Sequence, residues 1–233
     1  MQELKDFGKI EFVRSKRAKR VSVKIKSDGL KVSMPHHVST SYVMDFILSK
    51  KHEILKKQQK VQKRKSKLQI TLDNNIQTLT FSIKLVPANR QNLFFSLRNE
   101  ILNIEVPQDV DILSEHVQAS CWKGINHFLK IEAKRVLPNR VFELAKQHNF
   151  RVADVKIQSS KTRWGSCSQH QNINLSFYLM LLPVHLIDYV ILHELCHTRE
   201  MNHGVAFWKL MDQVTNNRSD ALKKELKRYE IPG

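Results

Sequence analysis

Alternation of apolar and polar residues predicts several β-strands in the first half of the chain. Apolar residues take every second position in residues 21–25 and again in residues 30–34, after a turn-forming Ser-Asp-Gly. Because successive side chains of a strand point to opposite faces, this pattern predicts a hairpin with one buried face. The same alternation recurs in residues 79–85. Residues 93–97 and 101–106 predict a second hairpin, and no internal repeat is evident.

Apolar positions spaced three and four residues apart predict helices elsewhere. Ser39 or Thr40 can cap a helix, since both side chains accept hydrogen bonds from free N–H groups. The apolar stripe of this helix consists of Val43, Phe46, Ile47, Ile54 and Leu55. Residues 114–149 also have a helical pattern. We expect Pro138 to interrupt it, because proline cannot donate the helical hydrogen bond.

The C-terminal half combines short strands with an apolar helix. Residues 155–159 and 173–178 predict strands, and residues 184–192 are apolar almost all round, as in a buried helix. The chain is therefore predicted to have an α+β fold. We place a basic, β-rich N-terminal region with one amphipathic helix in residues 1–112 and a second domain in residues 113–233.

A candidate metal site directly follows this apolar helix. His193-Glu194-Leu195-Cys196-His197 has the H-E-x-x-H pattern. On a helix, residues i and i+4 lie on one face, so His193 and His197 can direct two imidazoles to one point. His203 can supply a third nitrogen ligand, and catalytic zinc sites use three protein ligands and a water. Glu194 can reach that water as a general base.

The motif could arise by chance, with odds of about a few per cent for a chain of this composition. Its position argues against chance, because two histidines and a glutamate on a buried helix would be costly to leave without partners. Histidines hydrogen-bonded in a core would explain one such residue. They would not explain three in register.

Several segments together resemble the YgjP-like zinc metallopeptidase family. The strongest likeness is in residues 193–197 with Asn202-His203 and Phe207-Trp208. The Arg-Trp-Gly-Ser-Cys segment at 163–167 also resembles the family, as does the basic segment at 14–20 that precedes a strand. The likeness spans nearly the whole chain and is most specific over residues 160–210.

The resemblance implies a zincin-like α+β metallohydrolase domain. It implies one zinc ion per chain, held by His193, His197 and His203, with Glu194 as the catalytic acid and base. The sequence departs from the family after the third histidine, where Gly204-Val205 stands in place of the frequent Ser-Pro.

Arg163, Trp164 and Gly165 are candidates for contact with a substrate or an oxyanion. In zincin-like folds, which this chain resembles, a strand at the sheet edge lies beside the zinc and can pair with an extended peptide. Gly165 would then allow close approach of a backbone. The alternatives are that Trp164 fills the core, that Gly165 forms a turn, and that Arg163 makes a surface salt bridge or a phosphate contact.

The cysteines and the apolar segments indicate a reducing compartment. Cys121, Cys167 and Cys196 are odd in number and widely spaced, which argues against a disulfide framework. Cys167 and Cys196 are expected to be small buried residues rather than ligands. The N-terminus has no apolar signal core, and charged and proline residues interrupt the longest apolar stretch, 177–192. We therefore expect a cytoplasmic protein with no membrane partner.

Positive charge is concentrated in the N-terminal part of the chain. Residues 1–67 contain 19 Lys and Arg against 6 Asp and Glu, whereas residues 68–233 contain 20 against 16. Residues 50–67 hold nine basic side chains and one acidic side chain. This run is either a solvated helix face or a surface that attracts nucleic acid, nucleotides or an acidic partner.

These observations together favour a zinc-dependent metallohydrolase. The first hypothesis is a metallopeptidase that cleaves peptide or protein substrates with Glu194 as general base. The second is a zinc phosphohydrolase that acts on nucleotides, which the positive charge favours. The third is a protease recruited to nucleic acid by the basic N-terminal region.

Overall fold

The computed structural model divides the chain into two compact units, Met1–Gln69 and Ile70–Gly233. The residues that it describes are 2–4, 6–26, 28–67, 69–73 and 75–231. The division therefore lies far from the predicted boundary at 112/113. The reason is that the strands between residues 70 and 112 share one hydrophobic core with the helices that follow them.

The first unit contains a four-stranded sheet and two helices. Its elements are β1 (Gln2–Leu4), β2 (Gly8–Arg14), β3 (Ser22–Ile25), β4 (Gly29–Met34), α1 (Thr40–Ser49) and α2 (Lys51–Lys67). The strand order is β1-β2-β4-β3, in which β2 and β4 are parallel and the outer pairs are antiparallel. The predicted hairpin is confirmed as β3 and β4, with Val23 opposite Val32. Ser27 of its turn lies outside the described residues.

The prediction of a single amphipathic helix in this region was wrong, because there are two helices, which meet at Lys50. Ser39 does cap the first helix, where its hydroxyl accepts a hydrogen bond from the backbone N–H of Tyr42 at 3.2 Å. Lys50 leaves the helical conformation and caps α1. Phe46, expected in the apolar stripe, is 47% exposed, while Ile54 of α2 joins the same core as Val43.

The second unit contains two sheets, a long helix and the predicted active-site helix. Its elements are β5 (Ile76–Gln77), β6 (Ser82–Ala88), β7 (Phe94–Arg98), β8 (Ile101–Pro107), α3 (Glu115–Gln147), β9 (Asp154–Gln158), β10 (Gly165–Cys167), β11 (Asn172–Ser176), a 3₁₀ helix (Phe177–Leu181), α4 (Val184–Cys196), α5 (Val205–Val214) and α6 (Ser219–Leu226). The sheets have the orders β5-β6-β8-β7 and β10-β11-β9. Strands precede and follow helices in one unit, so the predicted α+β class is confirmed.

The four-stranded sheets of the two units have the same topology. In each, the middle strands are parallel, the outer pairs are antiparallel, and the last two strands form a hairpin. The second hairpin, β7 and β8, is confirmed as predicted, and its tight turn places Asn99 and Glu100 at positive φ. The repetition is visible in the pairing of strands although the sequence does not reveal it.

The prediction that Pro138 interrupts the helix was wrong, because α3 is continuous through this residue. A proline inside a helix costs about 3 kcal/mol through a lost hydrogen bond and a steric clash. Burying one large aliphatic side chain contributes about 1.5–3 kcal/mol. The favourable free energy of burying the apolar face of α3 therefore exceeds the cost of the proline. Nine residues of this helix are buried: Val117, Cys121, Ile125, Leu129, Ala133, Leu137, Val141, Leu144 and Ala145.

Helix α4 lies in the main core and is joined to α3 by an ion pair. Nine of its thirteen residues are buried. Nε and Nη2 of Arg140 on α3 donate to the two carboxylate oxygens of Asp188 on α4, at 2.8 and 2.6 Å. This two-point contact holds the start of α4 against α3. None of the helices in the described part of the chain has the length and apolar character required to cross a membrane.

The contact between Arg140 and Asp188 predicts a measurable contribution to stability. Arg140→Lys keeps the charge but cannot form the planar two-point contact, so the free energy of unfolding should fall by about 1 kcal/mol. Denaturant unfolding measures this change. Arg135→Lys is the matched control, since Arg135 makes a similar two-point contact, but with Glu132 of its own helix, so losing it does not loosen α4 from α3. An equal effect of both substitutions would contradict the special role of Arg140.

Candidate active site

The three predicted ligand histidines lie at the end of α4 and in the loop that follows. His193 is on the last turn of α4, and His197 is the residue that caps its C-terminus. The chain then turns, and His203 precedes Gly204, which caps the N-terminus of α5. The structure therefore brings His203 back to the helix end within six residues of His197.

The imidazoles of these residues converge on one point. Nε2 of His203 lies 3.0 Å from Nε2 of His193 and 3.2 Å from Nε2 of His197. The three nitrogen atoms all lie within 4.8 Å of one another. Three imidazole nitrogens at one point are a donor set that suits zinc.

A backbone hydrogen bond orients His197 for this role. Its Nδ1 donates to the carbonyl oxygen of Glu200 at 3.0 Å. The proton is then on Nδ1, so the lone pair of Nε2 is directed at the other two histidines. Hydrogen bonds from the distal nitrogen to a carbonyl are typical of histidine ligands in metal sites. The residues present therefore fit a bound zinc ion.

Burial favours the neutral, metal-binding form of His193 and His197. It lowers the pKa of His193 to about 3, with smaller contributions from the charges of His197, His203 and Lys223. Burial also lowers the pKa of His197. A neutral imidazole has a free lone pair, so no proton has to be displaced for a cation to bind near neutral pH.

Phe207 and Trp208 of α5 support the histidine rings. The ring of Phe207 is fully buried, and its centroid lies 4.9, 4.5 and 4.7 Å from those of His193, His197 and His203. Trp208 stacks on His203 at 5.9 Å with an angle of 30° between the planes. Both aromatic residues therefore pack α5 against the end of α4.

Glu194 is buried beside the histidines. Its side chain is on α4, and the residue is only 6% exposed. Burial raises the pKa of Glu194 to about 8, while the positive charge of Arg163 lowers it. A carboxyl group with a pKa near neutrality can both accept and release a proton.

Gly165 lies against the carboxylate of Glu194. A methyl group added to Gly165 would lie 2.7 Å from Oε1 and 2.8 Å from Cγ of Glu194. Any larger residue would therefore displace the glutamate or the strand. Gly165 begins β10, so it lies in a strand and not in a turn.

Strand β10 is the edge of its sheet. It pairs antiparallel with β11, and within the described residues this is its only strand partner. Trp164, which precedes it, is half-buried and packs against the main core. Arg163 is exposed and lines the same cleft as Glu194. The structure thus places Arg163, Trp164 and Gly165 beside the histidines.

The cysteines near the site are not metal ligands in this arrangement. All three cysteines of the chain are unpaired. Cys196 is fully buried and Cys167 is half-buried, and burial raises the pKa of their thiols to about 12 and about 11. Both residues therefore favour the neutral thiol, whereas the thiolate is the form that binds metals.

Residues from α6 and the chain after it complete the cleft, and no sequence pattern predicted them. Lys223, Lys227 and Tyr229 line it together with Tyr189 of α4. The lysines follow His203 by at least 20 residues and have no motif spacing to it. Their positive charge is the only signal that could have indicated a role at the site. That signal is weak, because lysine is abundant throughout this chain.

Comparison with known proteins agrees with this geometry. A family model described as "YgjP-like, metallopeptidase domain" matches residues 19–229. The chain belongs to the YgjP-like metallopeptidase family. The prediction of a zinc metallopeptidase-like hydrolase is confirmed at the level of the family, which implies a metal cofactor and peptide or protein substrates. The match gives no support to nucleic acid as a partner.

Two solved structures are similar to part of the chain. The metallopeptidase zymogen of Methanocaldococcus jannaschii jannalysin is 24% identical, with a TM-score of 0.35, and the likeness covers 39% of this chain and 93% of that one. The metallopeptidase zymogen of Pyrococcus abyssi abylysin is 17% identical, with a TM-score of 0.34, over 41% of this chain and all of that one. No curated protein matches the chain.

The contact between Gly165 and Glu194 predicts a selective loss of activity. Gly165→Ala should displace the carboxylate and lower peptidase turnover by about 10²-fold, the scale of an ångström-sized misplacement. Zinc content should remain at the wild-type level, because the histidines are untouched. Gly204→Ala is the matched control, since a methyl group there meets no atom within 4 Å. Wild-type turnover in Gly165→Ala would show that this contact is unimportant.

Proposed function

We propose that this YgjP-like protein is a zinc-dependent metallopeptidase with one zinc ion per chain. In this proposal His193, His197 and His203 hold the ion, and Glu194 is the general base. The observation that carries the proposal is the convergence of three imidazole Nε2 atoms beside a buried glutamate. The family match independently supports peptide hydrolysis.

The roles of the side chains follow from their positions. When bound, zinc lowers the pKa of a water and polarises a carbonyl group. Glu194 accepts a proton from the attacking water through its carboxylate and can return it to the leaving amine. Burial in the low-dielectric core supports both steps, since it brings the pKa of the carboxyl group toward neutrality. Arg163 is a candidate to stabilise the developing oxyanion.

Strand β10 offers a binding mode for an extended peptide. Its outer edge can donate and accept main-chain hydrogen bonds, as in recognition by strand addition. Main-chain pairing gives affinity with little dependence on side chains, so the choice of substrate falls to the cleft around it. Because Gly165 has no side chain, β10 lies directly against the carboxylate of Glu194, so a peptide paired with this strand would lie close to that carboxylate.

Two alternatives remain predictions. A zinc phosphohydrolase acting on nucleotides would use the same histidines and the positive charge of the cleft. Recruitment to nucleic acid would use α2, on which Lys56, Lys57 and Lys60 are exposed. The side chains of residues 63–67 in the same basic run lie outside the described residues.

The metal assignment predicts the zinc content of histidine variants. Wild-type protein should contain one zinc per chain, and His203→Ala should lose most of it, because two imidazoles bind zinc far more weakly than three. Elemental analysis after dialysis measures this content. His185→Ala is the matched control, since His185 lies on α4 but contacts Glu225. Full and tightly held zinc in His203→Ala would exclude His203 as a ligand.

The assignment of the general base predicts a separation of metal binding from catalysis. Glu194→Gln keeps the size of the side chain and removes the proton acceptor. Turnover should fall by about 10²–10⁴-fold, with zinc content and thermal stability nearly unchanged. Zinc-loaded wild type and variant would be compared on denatured proteins and on nucleoside triphosphates. Cleavage of triphosphates alone would favour the phosphohydrolase, and full activity of Glu194→Gln would move the base elsewhere.

A further inference from the structure

The cleft beside the three histidines has a strongly cationic lining. Its volume is about 710 Å³. Arg163 precedes β10, while Lys223 and Lys227 belong to the region of α6. Among the described residues that line the cleft, Glu194 is the only acidic one. The rest of the lining is largely apolar and aromatic, including Tyr189, Trp208 and Tyr229.

Lys223 is held in position by an aromatic contact. Its Nζ lies 4.0 Å from the centroid of the Trp208 ring, which itself stacks on His203. The residue is half-buried. A cation over an aromatic face is attracted by the ring and loses little freedom when it binds an anion. Lys223 therefore presents a fixed charge next to the histidines.

Acidic residues on α6 leave the charge of the cleft largely uncompensated. Asp220 pairs with Lys224 at 2.7 Å, and Glu225 pairs with His185 at 2.8 Å. The hydrogen bond and charge of Lys224 are the main cause of the lowered pKa of Asp220, and the charges of Lys223 and Lys227 contribute less. A bound zinc ion would add two further positive charges. The cleft thus lacks the negative charge that a substrate could bring.

We propose that this cleft selects peptides that carry a carboxylate near the scissile bond, with Lys223 as the main specificity-determining residue and Lys227 and Arg163 in support. The proposal rests on the proposed peptidase function and adds the class of substrate. A neutral peptide in the cleft would bring no negative group to pair with these cations. A carboxylate would form charge-assisted hydrogen bonds with them. Lys223 contributes most because it is half-buried, while the exposed Lys227 is screened by solvent.

The peptide side chain that fits is Asp or Glu. The aromatic walls can pack against the aliphatic part of such a residue, and β10 can pair with its main chain. A free C-terminal carboxylate has the same chemistry and must be separated by experiment. A phosphate group would also bind cations, but the free strand edge beside Glu194 favours an extended peptide over a nucleotide.

Kinetics on matched peptides test this proposal with zinc-loaded full-length protein. A parent peptide that the enzyme cleaves would be prepared with Glu, Gln or Lys at each position flanking the cleavage site. Each peptide would be made with a free and with an amidated C-terminus. The expected result is a kcat/KM for Glu at one position about tenfold above that for Gln, the scale of a hydrogen bond to a charged group. Lys at that position should be poorer still.

Variants of α6 assign the preference to Lys223. Lys223→Met keeps an unbranched apolar side chain over Trp208 and removes the charge, so the Glu-to-Gln ratio of kcat/KM should fall toward one. Lys223→Arg should retain the ratio. Lys224→Met is the matched control on the same helix, because Lys224 pairs with Asp220 and does not line the cleft. It should leave the ratio at the wild-type value.

Binding gives a second measurement that does not depend on turnover. Fluorescence anisotropy with zinc-loaded Glu194→Gln protein should show tighter binding of the Glu peptide than of the Gln peptide. The difference should shrink in Lys223→Met and at high salt. Peptide cleavage with equal kcat/KM for Glu and Gln would overturn the proposal and leave the peptidase function intact.

Two further outcomes are decisive. A preference that requires only the free C-terminus and not an internal Glu would assign the carboxylate to the peptide end and overturn the side-chain assignment. Hydrolysis of nucleoside triphosphates with no cleavage of any peptide would overturn the peptidase function and this proposal together.

Discussion

The burial of α4 is the constraint on which the rest of the site depends. This helix is packed on nearly all sides, so its last turn carries His193 and Glu194 into the protein interior. Removing polar groups from water is costly unless they acquire partners. Burial therefore favours the neutral form of His193 and His197 and the protonated carboxyl group of Glu194. A cation held by the imidazoles would favour the charged carboxylate again.

Packing on two sides turns this constraint into a defined geometry. Phe207 fills the space against all three imidazole rings, which limits their rotation. Gly165 allows the backbone of β10 to lie against Glu194, which limits the movement of the carboxylate. Groups that hold or transfer protons act best when their positions are fixed before the substrate arrives. Phe207 and Gly165 have no role in the chemistry themselves, but they restrict the positions of the histidines and of Glu194.

The charge of the cleft differs from that of the surrounding sequence. Residues 68–233 contain nearly balanced numbers of basic and acidic residues, yet the lining of the cleft has three cations and one carboxylate. The large positive charge of residues 1–67 lies in the other unit. The net charge of the sequence therefore indicated the basic run of α2 as a binding surface. The charges next to the candidate site come instead from the region of α6 and the loop before β10.

The sequence by itself determined the features that depend on short-range spacing. A period of two residues predicted both hairpins, and Ser39 predicted a helix start, because these patterns involve only neighbouring residues. The H-E-x-x-H pattern and His203 predicted the cluster of histidines for the same reason, since one helical turn and a short loop join them. The α+β class followed from the order of these patterns.

The tertiary structure alone decided the features that depend on contacts between distant segments. The continuity of α3 through Pro138 depends on burial against other elements, which local propensity cannot express. The boundary near residue 70 depends on a core shared by distant strands and helices. The contact of Gly165 with Glu194 joins segments about thirty residues apart, and Lys223 reaches the site only because α6 folds beside Trp208. Such proximity is produced by packing, and no spacing along the chain encodes it.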